Sequence, residues 1–146
     1  MAVLLSVLAI VGSGLTAGVL FCVALSVVPL FFALPPEEYL VTHRLIGRHF
    51  DPAMPVIVLV SAAADLGLAV LAPATRWWHV FAALLLLGVS AVSHFGNVPL
   101  NRLVRRGGDV PADWSDPRRR WRALNLVRTV LAVLALIVNA AVHAAR

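Results

Sequence analysis

The polar side chains of this chain that can do chemistry are few, and they are grouped. In "SHFGNVPLNRLV", beginning at Ser93, His94, Asn97 and Asn101 stand at i, i+3 and i+7, one stripe of a helix. In "WRALNLVR", Trp121, Asn125 and Arg128 stand at i, i+4 and i+7, again one stripe. An imidazole that exchanges protons near neutral pH, amide and guanidinium donors, and an indole that stacks on flat rings are together the contents of a polar pocket for a small molecule. A structural reading competes: Asn101 caps a helix end, Arg128 snorkels to headgroups, and Pro99 bends its helix, freeing a carbonyl near Phe95 that Asn97 can satisfy. Two matched stripes favour a pocket, because antiparallel neighbours bring them face to face.

Asp65 stands inside an apolar run, where a carboxylate costs about 2.5–3.5 kcal/mol on insertion scales. It is read either as a proton acceptor within the bundle or as a neutral acid hydrogen-bonded to Ser61, Ser90 or a backbone carbonyl. His43 and His49 lie six residues apart, about 240° round a helix, so one face cannot offer both to a metal. His79 and His143 fall at similar depth, either as free interfacial imidazoles or as ligands to a haem. The single cysteine, Cys22, excludes an intrachain disulfide framework and a cysteine metal cluster. Neither a Gly-rich phosphate loop nor a nucleophile elbow occurs.

The elements that must position these residues are membrane helices. Hydrophobic residues make up 61% and charged residues 13%, against about half and about a quarter in soluble proteins. Four spans are expected, at 2–34, 56–72, 77–98 and 123–145, in a single all-α transmembrane domain over 1–146, a four-helix bundle. The first span lacks the basic start and cleavage site of a signal peptide and is expected to stay as a helix. Its Gly14 and Gly18 form a small-xxx-small pair, with Gly12 close by, for close packing, and Pro29 is expected to kink it. Pro36, Glu37 and Glu38 suit the start of a short amphipathic surface helix, "YLVTHRLIGRHF", which "DPAMP" should break before the second span. No repeats or low-complexity segments occur, and "RRGGDVPADWSDPRRR" reads as a turn-rich loop.

The net charge of +5 is carried by arginine alone. Nine of the twelve lie in the connections 35–55 and 99–122, against Arg76 and Arg146 on the other side, which predicts cytoplasmic loops and both termini outside. Trp77 and Trp78 then mark the outer interface, with Tyr39, Trp114 and Trp121 near the inner one. The arginines are loop-bound and form no folded basic face, so nucleic acid is not an expected partner.

Four spans with "HRLIGRHFDPAMP" after the first, "NVPLNRLV" closing the third and "WRALNLVR" opening the fourth resemble the anthrone oxygenase-like family of small integral membrane proteins. The resemblance covers about residues 10 to 145. It is carried by Asn97-x-Pro99-x-Asn101 and Trp121-x-x-x-Asn125-x-x-Arg128, and departs from the family's W-x-x-W-N in lacking the second Trp. It implies an oxygenase of polyketide tailoring that uses molecular oxygen without an organic cofactor. An anthrone has an acidic methylene beside a conjugated ketone, so such an enzyme needs a base, an oxyanion stabiliser and an apolar slot. His94 is then the base, with His43 or the deeper Asp65 as alternatives. Asn97, Asn125 and Arg128 donate to the enolate oxygen, and Trp121, Trp114 or Phe95 stack on the ring, with Asn101, His43 and Asp65 as further substrate contacts. The competing expectation is a non-enzymatic bundle that binds lipid through Arg118, Arg119 and Arg120, or steadies a partner membrane protein or a second copy. A haem-carrying bundle is the third, and a metal stays open.

Overall fold

A chain this apolar must satisfy its backbone polar groups internally, and helices do so segment by segment. The computed structural model describes residues 1–106 and 115–145, with the side chains of His49, Asp51, Leu103, Arg105 and Arg106 outside that description. In order these form α1 (Ala2–Cys22), a π-helical turn (Val23–Val27), α2 (Val28–Ala33), α3 (Pro36–Leu71), a 3₁₀ turn (Pro73–Thr75), α4 (Arg76–Val92), a second π-helical turn (Ser93–Asn97), α5 (Val98–Arg106) and α6 (Arg118–Ala144). No strand occurs among the described residues. Four stretches are long and apolar enough to cross a membrane: Ala2–Ala33, Pro52–Leu71, Pro73–Arg102 and Arg118–Ala144. The protein is an all-α membrane helix bundle.

The four long helices form a ring in which α1 and α4 each pack against α3 and α6. The core at their waist interleaves Ala17, Ala62, Ala132 and Ala135 with Leu20, Val58, Leu85, Leu86 and Val89, while many other Leu, Val and Phe side chains are exposed. The small residues let the helix backbones approach closely, as in membrane bundles. The tightest approach is at Gly12, where an added Cβ would land on the Ser61 hydroxyl of α3. At Gly18 an added Cβ would meet nothing within 4 Å, and at Gly14 only Leu136 at 3.7 Å, so Gly12 rather than the Gly14/Gly18 pair carries the contact.

Prolines act differently from the sequence expectation. The segment around "DPAMP" does not break: α3 runs unbroken through Pro52 and Pro55, so the expected separate amphipathic helix is the first half of a 36-residue helix. Both rings point outward, away from the packed faces, and an intact ladder on either side carries the helix through. Pro29 and Pro99 each follow a widened turn instead. Val28 N–H bonds to Val23 O and Val98 N–H to Ser93 O, five residues back in both cases. A proline has no N–H for the carbonyl four residues earlier and its ring collides with it, and a wider preceding turn swings that carbonyl aside.

Far from these turns, a polar network joins all four long helices. Asp65 Oδ1 lies 3.3 Å from His79 Nδ1, Asp65 Oδ2 accepts from Asn139 Nδ2 at 3.2 Å, and the same amide reaches Ser13 Oγ at 3.4 Å. His143 donates from Nδ1 to Asn139 O at 2.7 Å and meets the His79 ring edge to face. Asp65, His79 and Asn139 are fully buried. Asp65 therefore pairs with His79 and Asn139 rather than with Ser61 or Ser90, and His79 is an interior residue rather than a free interfacial one.

Candidate functional site

The two π turns flank a cavity of about 410 Å³ at the loop end of the bundle, bounded also by the first half of α3 and the start of α6. Each wall follows from local sequence. Val23 and Val27 of the first wide turn, before Pro29, and Ser93, His94 and Asn97 of the second, before Pro99, all line the cavity. At Gly96, inside the second turn, an added Cβ would sit 2.9 Å from the end of the Leu124 side chain, so α6 packs closely here and a larger residue would push that side chain aside.

One side of the cavity is a chain of fixed hydrogen bonds. The Trp121 indole N–H can only donate, and it points at Asn101 Oδ1 at 3.2 Å. That orients the Asn101 amide, and the same oxygen accepts from His43 Nε2 at 3.0 Å. Neutral His43 then carries its proton on Nε2, leaving Nδ1 to accept from the Tyr39 hydroxyl at 3.1 Å. Phe31 stacks on the His43 ring at 5.1 Å, nearly parallel, and Trp121 meets it edge-on. Arg118 closes the end behind this chain. Its guanidinium donates to Phe31 O and Leu34 O at 2.8 Å, lies over the Tyr39 ring and pairs with Asp116. Phe31 stands in the last turn of α2 and Leu34 is its C-cap residue, so Arg118 caps the C-terminal end of that helix. Burial pushes the Tyr39 phenol well above its ordinary range, with Asp116 adding to the shift and Arg118 partly opposing it.

Further along α6 from Trp121 the lining is donor-rich. Arg128 spreads its guanidinium between Ser93 Oγ at 3.2 Å and Asn125 Oδ1 at 3.0 Å, and Asn125 Nδ2 donates to Leu20 O at 3.4 Å. Thr129 Oγ1 reaches the same carbonyl, tying α6 to the end of α1. Asn97 is 2% exposed, lines the cavity, and neither its amide N–H₂ nor its carbonyl has a partner among the described residues. A buried amide left so costs about 1–3 kcal/mol, which a ligand's polar group would recover. The arrangement can therefore hold a flat apolar molecule with one carbonyl or oxyanion turned to Asn97 and Arg128.

Of the residues singled out from sequence, His43, His94, Asn97, Asn101, Trp121, Asn125 and Arg128 all line this cavity. They are not equivalent. His94 does not share the buried face of Asn97: it is exposed at the cavity rim, edge-on to Phe95, and makes no hydrogen bond with described residues. The i, i+3 relation assumed a regular helix, and the π turn at Ser93–Asn97 breaks it. Asp65 does not line the cavity and belongs to the network at the other end. Trp114 lies outside the described residues. Phe31, Tyr39 and Arg118 were not foreseen in these roles, although residues 31 and 39 stand four places either side of Pro35 and a tight hairpin must bring them together. No group of three metal-binding side chains occurs among the described residues.

Fold and site together define a small integral membrane bundle enclosing an aromatic pocket with a donor-rich wall. The chain belongs to the anthrone oxygenase family, whose model matches residues 43–138. The matched stretch begins at His43 and takes in every polar residue of the cavity, whereas α1 and α2, which supply Leu20 and Phe31, lie before it. No curated protein and no solved structure matches the chain. Family membership supports an oxygenase-like role at the level of the family.

Proposed function

We propose that the protein is a membrane oxygenase that converts a hydrophobic anthrone-like aromatic to its quinone with molecular oxygen. The observation that carries this reading is the Asn97 amide, buried without a partner among the described residues, in a cavity that the anchored Arg128 guanidinium, Phe31 and Trp121 also line. A cavity of 410 Å³ lies within the usual range for small-molecule sites, about 300–1,000 Å³.

In this mechanism His94 removes one proton from the methylene carbon, since its ring is unengaged at the cavity edge while both His43 nitrogens are held by Tyr39 and Asn101. Asn97 and Arg128 stabilise the enolate oxygen that results, with Asn125 fixing the guanidinium. The enolate passes one electron to oxygen, and the resulting radical and superoxide combine in a C–O bond. The peroxide takes the proton back from His94. Loss of the second methylene proton then forms the carbonyl as the O–O bond breaks, and hydroxide leaves with that proton as water. One oxygen molecule is consumed per quinone, one atom ending in the product and one in water, so the substrate itself supplies the electrons. His43 is a positioning residue in this scheme, and its hydrogen-bond chain keeps the aromatic wall rigid.

The test is oxygen uptake and quinone formation from anthrone by the protein in lipid nanodiscs, with autoxidation subtracted. His94→Ala and Arg128→Ala are each expected to lower the rate by about 10²-fold or more. Wild-type rates no faster than buffer overturn the activity, and normal turnover by both variants overturns the site. The arginine distribution supports cytoplasmic loops and external termini; tags at either end should be accessible on intact cells, and protection of both reverses the orientation.

A further inference from the structure

The cavity is walled unevenly, and the unevenness indicates how it is filled. On the α1 and α6 sides every lining residue is buried or half-buried. The loop-side end is shut by the Tyr39–His43–Asn101–Trp121 chain packed on Phe31. The exposed lining residues, Phe50, Pro55, His94 and Arg102, stand on α3 and on the α4–α5 unit. These elements are neighbours in the ring, so the opening is a seam in the flank of the bundle. It faces lipid.

Arg102 gives the seam a chemical preference. It closes the third span, eight residues beyond His94, or about 12 Å along a helix axis. It lines the cavity yet makes no hydrogen bond or ion pair with any described residue. A charge at the membrane boundary, beside a lateral opening, suits a ligand whose body belongs in lipid and whose one ionised group belongs at the surface. We infer that the cavity is loaded sideways from the loop-side leaflet by a flat aromatic bearing one anionic substituent, its rings passing between Phe50 and His94 and its carboxylate or phenolate held by Arg102. The identity of the rings rests on the proposed oxygenase reading; the route and the anion do not.

Binding is tested with products rather than substrates, so that it does not depend on turnover. Anthraquinone and anthraquinone-2-carboxylate are titrated against the protein in nanodiscs, following quenching of tryptophan fluorescence. The carboxylate is expected to bind about three- to tenfold tighter. Arg102→Gln should erase that difference without weakening the neutral quinone, and Arg102→Lys should restore part of it. In a Cys22→Ser background, attaching a bulky lipid-phase maleimide to Phe50→Cys should slow binding of both probes, whereas the same label on Val41→Cys, exposed on α3 outside the cavity lining, should not. Equal affinity for the two probes, a preference that survives Arg102→Gln, an unchanged rate after labelling at position 50, or no binding at all each overturns the inference. Failure of the oxygenase reading alone has a different signature: both quinones bind as described while the anthrones are not oxidised.

Discussion

Asn97 is the residue at which stability and function separate. Its amide is buried with both ends unpartnered, so Asn97→Ala should keep or raise thermal stability, by up to about 1–3 kcal/mol. Oxidation of anthrone should fall about 10²- to 10³-fold in the same variant. A loss of stability would mean that the side chain holds the fold instead. Tyr39 offers a second residue-level test because it is the only tyrosine. Burial favours the neutral phenol in the fold, so ultraviolet difference titration should show no tyrosinate near pH 10, where an exposed tyrosine is half ionised. The stabilisation is complete below about pH 10 and is lost as pH climbs above it, with tyrosinate appearing together with unfolding. An ordinary titration in the folded protein would contradict the burial. At this scale residue types were legible and their surroundings less so: side-chain chemistry marks His94 and His43 alike, but only packing separates a rim imidazole from one held at both nitrogens.

Among the elements, the α1–α3 contact is set by one glycine. Gly12→Val should cost about 1–3 kcal/mol by overpacking against Ser61, while Gly18→Ala should change little because its site is open. Melting temperatures in one detergent compare them directly, and equal losses at both positions would discard this account. The number, order and approximate limits of the spans could be read from apolar run length, since nothing but a helix satisfies its backbone across so long an apolar stretch. Small-residue spacing marked the right stretch of α1 but not the position within it: α3 crosses at Gly12, beside the Gly14 and Gly18 pair. Proline was legible as a disturbance but not as a kind: the same residue leaves α3 continuous at Pro52 and Pro55 and widens the turn before Pro29 and Pro99.

For the molecule as a whole, the Asp65–His79–Asn139 network, with Ser13, is a polar connection that reaches every long helix. Asp65→Ala withdraws the carboxylate from two buried partners and should destabilise by about 3–5 kcal/mol, whereas Asp65→Leu combined with His79→Phe should recover most of the loss. Thermal unfolding in nanodiscs distinguishes them, and a double variant no better than the single one would show that the carboxylate has some further role. The pairing was within reach of the sequence, because residues 65 and 79 each lie seven places from Ala72, the centre of the turn between their helices. Asn139 and Ser13 were not, since which spans adjoin in the ring is decided by packing.

The two widened turns also bear on how such a pocket can arise. A turn closed five residues back instead of four holds one residue too many, and everything beyond it is rotated by about 100° relative to an unbroken helix. Val23–Val27 and Ser93–Asn97 can thus be regarded as single-residue insertions into an otherwise regular bundle, each tolerated because a proline stands just downstream. Removing one residue from either turn would leave a chain that still spans the membrane four times but aims its far segment elsewhere. The binding site is to this extent a phase shift between two halves of a helix, which a lineage can gain or lose in one codon without altering the hydropathy of the chain.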